Sequence, residues 1–176
     1  LIASFVVSFV VIKPKYSSNI NLMPVRTEGS RVFSAYELGQ ICEAARSKEI
    51  YDLVIYTLND IGINLSYKTV QKDLYSDYIG TSTFIKLFAR HTNSDETKVV
   101  VTVYRDIVLD CYNKYAEQKE LDNRLTIFGE ASQPLKVNNN RIQYLFGIML
   151  FGTALGLVGG GYATCLEDRK AKKNGK

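Results

Sequence analysis

The longest uncharged run of the chain lies near its C-terminus and constrains the fold more than any other feature. No charged residue falls between Arg141 and Glu167, a stretch of 25 residues. As a helix these residues would extend about 37 Å, which exceeds the roughly 30 Å hydrocarbon core of a bilayer. A buried helix of a soluble protein is the alternative, but such a helix rarely stays apolar on every face over this length. We therefore predict a transmembrane helix over residues 144–165.

Small residues recur along one face of this predicted helix. Gly152, Gly156 and Gly160 are spaced four residues apart, which lets a second helix approach closely. Glycine is also generally common in membrane helices, so composition alone is a simpler explanation. We interpret the three glycines as a helix-packing face.

A second uncharged run, Leu1–Ile12, opens the chain. It is too short to cross a bilayer, and the sequence begins with Leu rather than Met. We interpret residues 1–12 as the outer half of a first transmembrane helix whose earlier part is missing, with Pro14 ending it. A signal-peptide core is the alternative, but no small-x-small cleavage site precedes Lys13.

Charge is distributed unevenly and sets the expected topology. Residues 13–143 hold 17 basic and 16 acidic residues, whereas residues 166–176 hold 5 basic and 2 acidic residues. Positive charge favours the cytoplasmic side of a membrane, so residues 13–143 are predicted to be extracytoplasmic and residues 166–176 to form a cytoplasmic tail. The nearly neutral middle lacks the concentrated basic face of a nucleic-acid-binding protein.

Strand patterns occur at four places between the two apolar runs. The clearest has period-2 alternation and contains Pro24, which is expected to confine the strand to a sheet edge or to end it. The polar residues 133–140 are expected to form a connector into the second span. The four predicted strands are Tyr16–Val25, Leu74–Ile79, Ser82–Arg90 and Leu125–Ala131.

Helix starts are marked by side chains that can accept hydrogen bonds from free backbone amides. Ser34 and Glu37 have the spacing of a capping box, and Ser47, Ser66 and Asn93 are further caps. The helix after Ser47 is expected to end near Gly62 and to bury Ile50, Leu53, Val54, Tyr56 and Leu58. The long helix, about Asp95–Glu120, is expected to bury Val100, Val103, Tyr104, Ile107, Cys111 and Tyr115.

This order of elements predicts the fold class. Strands and helices segregate along the chain as in an α+β domain, with an antiparallel sheet and helices packed on one face. The two transmembrane helices would flank this domain. Both of its ends would then meet the membrane on the same side.

The sequence offers no recognisable constellation for catalysis. His91 lacks a suggested Ser, Cys or carboxylate partner, and no phosphate-binding G-x-x-x-x-G-K motif is present. Cys42 and Cys111 are expected in the core, with a disulfide as the alternative. Cys165 is expected to line the span. We therefore expect neither an enzyme nor a cofactor or metal site.

Several sequence segments between the two predicted spans, taken in their order along the chain, resemble the polysaccharide co-polymerases. These are the chain-length determinant proteins of O-antigen, capsule and exopolysaccharide systems. Residues 37–60 resemble the helix pair of that family, and residues 65–74 and 81–97 resemble its following helix, strand and helix cap. Pro134 and Lys136 occupy the segment before the second span. The family often has several prolines there and Asp-Pro at the strand-to-helix turn, where this chain has Pro134 alone and Ser94-Asp95. The lack of a long coiled hairpin makes the chain similar to the small Gram-positive capsule and exopolysaccharide adaptors without a kinase domain.

The resemblance implies a function and partners. It implies a non-enzymatic membrane adaptor that forms a homo-oligomer, acts with polysaccharide polymerase or export machinery, and modulates a cytoplasmic tyrosine kinase. The tail residues that would contact the kinase are Glu167, Asp168, Arg169, Lys170, Lys172 and Lys173. The remaining partner is membrane lipid, which the basic tail residues would approach. A membrane-anchored sensor with an extracytoplasmic ligand-binding domain is the main alternative, and a membrane enzyme is a third.

Overall fold

A computed structural model describes residues 14–26, 32–78 and 83–137, together with Leu150, Thr153, Ala154, Gly156 and Tyr162, which are helical. Residues 14–137 form one compact unit. Its strands are β1 (Lys15–Arg26), β2 (Leu74–Tyr78), β3 (Ile85–His91), β4 (Asn123–Phe128) and β5 (Leu135–Val137). Its helices are α1 (Ala35–Ala45), α2 (Lys48–Asp60), α3 (Tyr67–Asp73) and α4 (Ser94–Gln118).

Strand β1 is the centre of an antiparallel, five-stranded sheet with the order β2-β3-β1-β4. It pairs with β3 from Tyr16–His91 to Leu22–Ile85. Its other side pairs with β4 over residues 21–26 and with β5 over residues 15–17. The predicted α+β class and antiparallel sheet are therefore confirmed.

The expectation that Pro24 makes this strand an edge strand is wrong. Pro24 lies inside β1 opposite Leu125 of β4, two residues beyond the last pair that β1 makes with β3. Proline has no backbone N–H to donate. A central strand accommodates it here because β1 is paired on only one side at this position.

The helices cover one face of the sheet, and the core lies between the two layers. Alternate side chains of the strands point to this face and are buried, including Ile20, Leu22, Ile85, Leu87 and Leu125. Helix α4 packs against β1, β3 and β4, and α2 packs against α4. Because burying one such side chain contributes about 1.5–3 kcal/mol, this shared core is the main stabilising feature of the domain.

The last four carbonyl groups of α1 all have hydrogen-bond donors, and at this end of the helix Cys42 and Ala45 are buried while Glu43 and Ala44 are exposed. Ser76 Oγ donates to the carbonyl oxygen of Cys42 at 2.7 Å, and Tyr104 Oη donates to that of Ala45 at 2.9 Å. The backbone amides of Arg46 and Ser47 donate to Glu43 and Ala44. Helix ends normally leave these groups unpaired, so side chains from β2 and α4 complete the end of α1.

All four predicted helix caps are confirmed. Ser34 and Glu37 form both hydrogen bonds of the capping box, with Glu37 Oε2 accepting from the Ser34 amide at 2.7 Å. Ser47, Ser66 and Asn93 each accept a hydrogen bond from an amide in the first turn of the following helix. Gly62 follows α2 with a φ of +84°, as expected for a residue that ends a helix.

Several predicted burial positions are wrong. Leu53 and Tyr56 of α2 are 45% and 68% exposed, and Tyr51 is buried instead. On α4, Tyr115 is 53% exposed, whereas Thr97, Val101, Val108 and Ala116 are buried. Since α4 packs against both the sheet and α2, its buried arc is wider than a single stripe and rotated from the predicted one.

The end of the domain also differs from the prediction. The last long strand ends at Phe128, and Gly129 follows with a φ of +85°, a conformation that suits glycine and turns the chain. The expected polar connector over residues 133–140 contains β5, which pairs with β1. Alternation is too short in this three-residue strand to be recognised from sequence.

The two uncharged runs of the sequence lie mostly outside the residues that the structure describes. Residues 1–12 and 166–176 lie outside the described residues, and within 144–165 only the five helical residues named above are described. In the part of the chain that the structure describes, no helix combines the length and the apolar character required to span a membrane.

Glu37 makes stability depend on pH in a defined window. Hydrogen bonds from Ser34, assisted by Arg26 at 2.7 Å, lower the pKa of Glu37 from 4.5 to about 2. The Glu37 carboxylate is protonated near pH 4.5 in the unfolded protein but only near pH 2 in the folded protein. The contribution of the ionised carboxylate to the free energy of unfolding is therefore complete above pH 4.5 and is lost as the pH falls to 2. We expect urea-unfolding midpoints to fall less over this window in Glu37→Gln than in the wild type. Equal falls in the two proteins would contradict this assignment.

Candidate functional site

The chain enters and leaves the domain at one place. Lys15, the first residue of β1, pairs with Val137, the last residue of β5, and Tyr16 pairs with Lys136. On its other side Tyr16 pairs with His91, the last residue of β3. The start of β1, the end of β5 and the end of β3 therefore lie together at one end of the sheet, which we call the junction end.

A basic cleft of about 390 Å³ opens beside the junction end. It lies between α3 and the residues at the ends of β1 and β3. Its charged or titratable lining residues are Lys15, Lys68, Lys72, Asp73 and His91, and Leu65, Thr69 and Thr92 complete it. We refer to these eight residues as the lysine cleft.

A partly buried ion pair forms one wall of the lysine cleft. Lys15 Nζ lies 2.6 Å from both carboxylate oxygens of Asp73. The Asp73 side chain is 6% exposed and that of Lys15 is 30% exposed. The pair joins the first residue of β1 to the last residue of α3, and it neutralises Asp73, the one carboxylate among the described residues that line the cleft.

His91 has a carboxylate neighbour that sequence reasoning did not suggest. Its Nδ1 atom accepts a hydrogen bond from the Asn93 amide and lies 3.2 Å from Glu96 Oε2. Asn93 also caps α4 and donates to Glu96 Oε1 at 2.8 Å. The strand-to-helix turn thus brings Glu96 close to His91, five residues earlier, and to Asn93, three residues earlier. This proximity depends on the geometry of the turn.

An apolar groove of about 630 Å³ lies between α1, α2 and the C-terminal half of α4. Phe33, Leu53, Tyr112, Tyr115 and Leu121 contribute much of its lining. Asn123 also lines it, and its side-chain oxygen is buried and accepts no hydrogen bond from any residue that the structure describes. Burial raises the pKa of the Tyr112 hydroxyl and the Cys111 thiol, so both groups stay neutral.

The two described cysteines are free thiols, so the alternative of a disulfide between Cys42 and Cys111 is not realised. Cys42 is buried in the core as predicted, and burial raises its pKa to about 11. Cys111 is only partly buried and lines the apolar groove. Among residues 14–137 that the structure describes, and the five helical ones beyond, no cluster of His, Cys, Asp and Glu suits a metal ion.

The predicted site residues are spread over described and other parts of the chain. Pro134 is half-buried just before β5, and Lys136 is exposed within β5. Gly156 is helical, and a Cβ atom added there would meet no atom of the described residues within 4 Å. Gly152, Gly160 and the tail residues Glu167, Asp168, Arg169, Lys170, Lys172 and Lys173 lie outside the described residues.

No protein-family model matches the chain, and a search of curated proteins found no match.

The ion pair of the lysine cleft predicts an asymmetric response to mutation. Lys15→Met leaves the buried Asp73 carboxylate unpaired, which costs about 3–5 kcal/mol of unfolding free energy. Asp73→Asn leaves the Lys15 ammonium unpaired but still able to reach water, so we expect about 1–3 kcal/mol. Urea unfolding of both variants measures the difference. A larger loss for Asp73→Asn than for Lys15→Met would contradict the burial argument.

Proposed function

We propose that this chain is a non-enzymatic membrane adaptor that oligomerises and controls the chain length or export of a surface polysaccharide, a capsule or an exopolysaccharide. The observation that carries the proposal is the pairing of β1 with β5, which places Lys15 opposite Val137. When a domain is inserted between two membrane helices, ends that lie side by side connect directly to both helices. If the ends were far apart, an additional linker would have to span the distance between them.

The arrangement of the domain supports the same proposal. The α+β fold with an antiparallel sheet and helices on one face is the fold that the resemblance to polysaccharide co-polymerases implies. Its order is strand, helix pair, helix, two strands, helix, two strands, and the helix pair, the following helix and the strand before the long helix occur in the order of the segments on which that resemblance rests. In this proposal two transmembrane helices flank the domain, which is extracytoplasmic, and the C-terminus is cytoplasmic.

The proposed partners follow from this placement. A homo-oligomer would use domain surfaces together with Gly152, Gly156 and Gly160 in the second span. The polymerase or export machinery would contact the chain within the membrane and on its outer side. A cytoplasmic tyrosine kinase would contact the tail residues 167–173. The proposal includes no cofactor and no nucleic acid.

A membrane-anchored sensor is the second candidate, and the apolar groove between α1, α2 and α4 favours it. Its volume of about 630 Å³ falls in the range of small-molecule sites, which are concave, mostly apolar and contain a few polar groups. The buried side-chain oxygen of Asn123, which has no hydrogen-bond partner in the described part of the chain, is such a group. A sensor would bind a small ligand there with no dependence on polysaccharide synthesis.

The topology of the proposal can be tested by labelling with a membrane-impermeant thiol reagent. We expect Asn139→Cys to be labelled in intact cells and Asn174→Cys only after permeabilisation, because the basic tail favours the cytoplasm. Cys42, Cys111 and Cys165 are replaced beforehand, and the cysteine-free chain is the control. Labelling of Asn174→Cys in intact cells would reverse the topology and end the adaptor proposal.

The tail provides a test of the kinase partnership. A chain ending after Leu166 with two added lysines keeps a positive anchor but lacks residues 167–173. We expect it to lower autophosphorylation of the co-expressed cognate kinase and to reduce surface polysaccharide. The variant Glu167→Gln/Asp168→Asn keeps all five basic residues of the tail and separates a carboxylate contact from charge attraction to lipid. Unchanged kinase activity and polysaccharide in the truncated chain would reduce the tail to an anchor.

A further inference from the structure

The lysine cleft has more positive charge than its protein surroundings neutralise. Lys68 and Lys72 are exposed and lie four residues apart on α3, so their side chains share one face of the helix. Neither has an ion-pair partner among the described residues. Like charges at this spacing repel each other and slightly destabilise a helix, and an anion bound between the two ammonium groups would relieve that repulsion.

Among the described residues, the carboxylates near the cleft do not supply that anion. Asp73 is held at 2.6 Å by Lys15 and is almost completely buried. Glu96 faces His91 and the Asn93 side chain on the α4 side of the cleft. The space that Lys68 and Lys72 border is therefore open to an anion from outside the protein.

The position of the cleft indicates the source of such an anion. Lys15 lines the cleft and is also the first residue of β1, where the chain enters the domain beside Val137. This step rests on the proposed function: if residues 1–12 and 144–165 are membrane helices, the junction end is the part of the domain nearest the lipid headgroups. Phosphate is the anionic group of that layer, and lysine binds phosphate as a point charge.

We propose that the lysine cleft is a phosphate-binding site, with Lys68 and Lys72 as the ligand-binding residues. The Lys15–Asp73 ion pair gives the cleft a fixed wall without net charge, so the excess positive charge of the cleft comes from Lys68 and Lys72. The exposed Thr92 side chain also lines the cleft and can donate a hydrogen bond. The ligand class is a phosphate monoester, diester or pyrophosphate. It is presented either by an anionic lipid headgroup or as a free ion.

The test uses the full chain in a neutral detergent, with ligand adducts counted by native mass spectrometry. One arm titrates phosphatidylglycerol, one titrates zwitterionic phosphatidylcholine, and one titrates inorganic pyrophosphate. We expect Lys68→Gln/Lys72→Gln to weaken binding of the anionic ligands about 25-fold, since each lysine near an anionic surface contributes about fivefold. Binding of phosphatidylglycerol alone identifies a headgroup site, and binding of pyrophosphate as well shows that phosphate suffices.

A matched control removes two positive charges elsewhere. Lys48→Gln/Lys119→Gln changes two exposed lysines outside the cleft, and we expect adducts like those of the wild type. The proposal is overturned if neither phosphatidylglycerol nor pyrophosphate binds, or if both double variants weaken binding equally. A reversed topology in the thiol-labelling experiment together with cleft-dependent pyrophosphate binding would end the adaptor proposal and leave this site standing.

Discussion

The pairing of β1 with three other strands is the constraint on which the rest of the domain depends. These 12 residues pair with β3, β4 and β5, so the N-terminal segment is joined to segments about 60 to 120 residues away. Such non-local pairs form only after a large loss of chain entropy. The sheet therefore becomes stable only with the helical layer in place, because the buried side chains of β1 need α4 to cover them.

Polar groups at the layer boundary fix how the helices lie on this sheet. The end of α1 is completed by Ser76 of β2 and Tyr104 of α4, and Tyr51 of α2 donates to the Leu74 carbonyl at 3.1 Å. Asn113 of α4 both donates to and accepts from the backbone of Leu125 in β4. A buried group that loses its partner costs about 1–3 kcal/mol, so these bonds penalise any shift of a helix along the sheet.

The same framework places the lysine cleft. Lys15 lies at the start of β1 and Asp73 at the end of α3, and their ion pair bridges 58 positions of sequence. Ser66 caps α3 and so determines where the helix begins, which places both Lys68 and Lys72 on the face of α3 that borders the cleft. The position of Lys15 at the start of β1, opposite Val137 of β5, therefore determines both one wall of the cleft and the closeness of the two chain ends. It connects the proposed phosphate site with the proposed placement of the domain at a membrane.

The sequence by itself determined the local structure of this protein. Ser34, Ser47, Ser66 and Asn93 start their helices because a short polar side chain can satisfy a free amide within its own turn, and alternation along β1 and β3 marks their buried faces. Tertiary structure decided the rest. The central position of β1 despite Pro24, the strand β5, the exposure of Leu53, Tyr56 and Tyr115, and the Lys15–Asp73 pair all depend on which surfaces meet. Periodicity shows that a residue has an apolar face but does not show which distant segment will cover it.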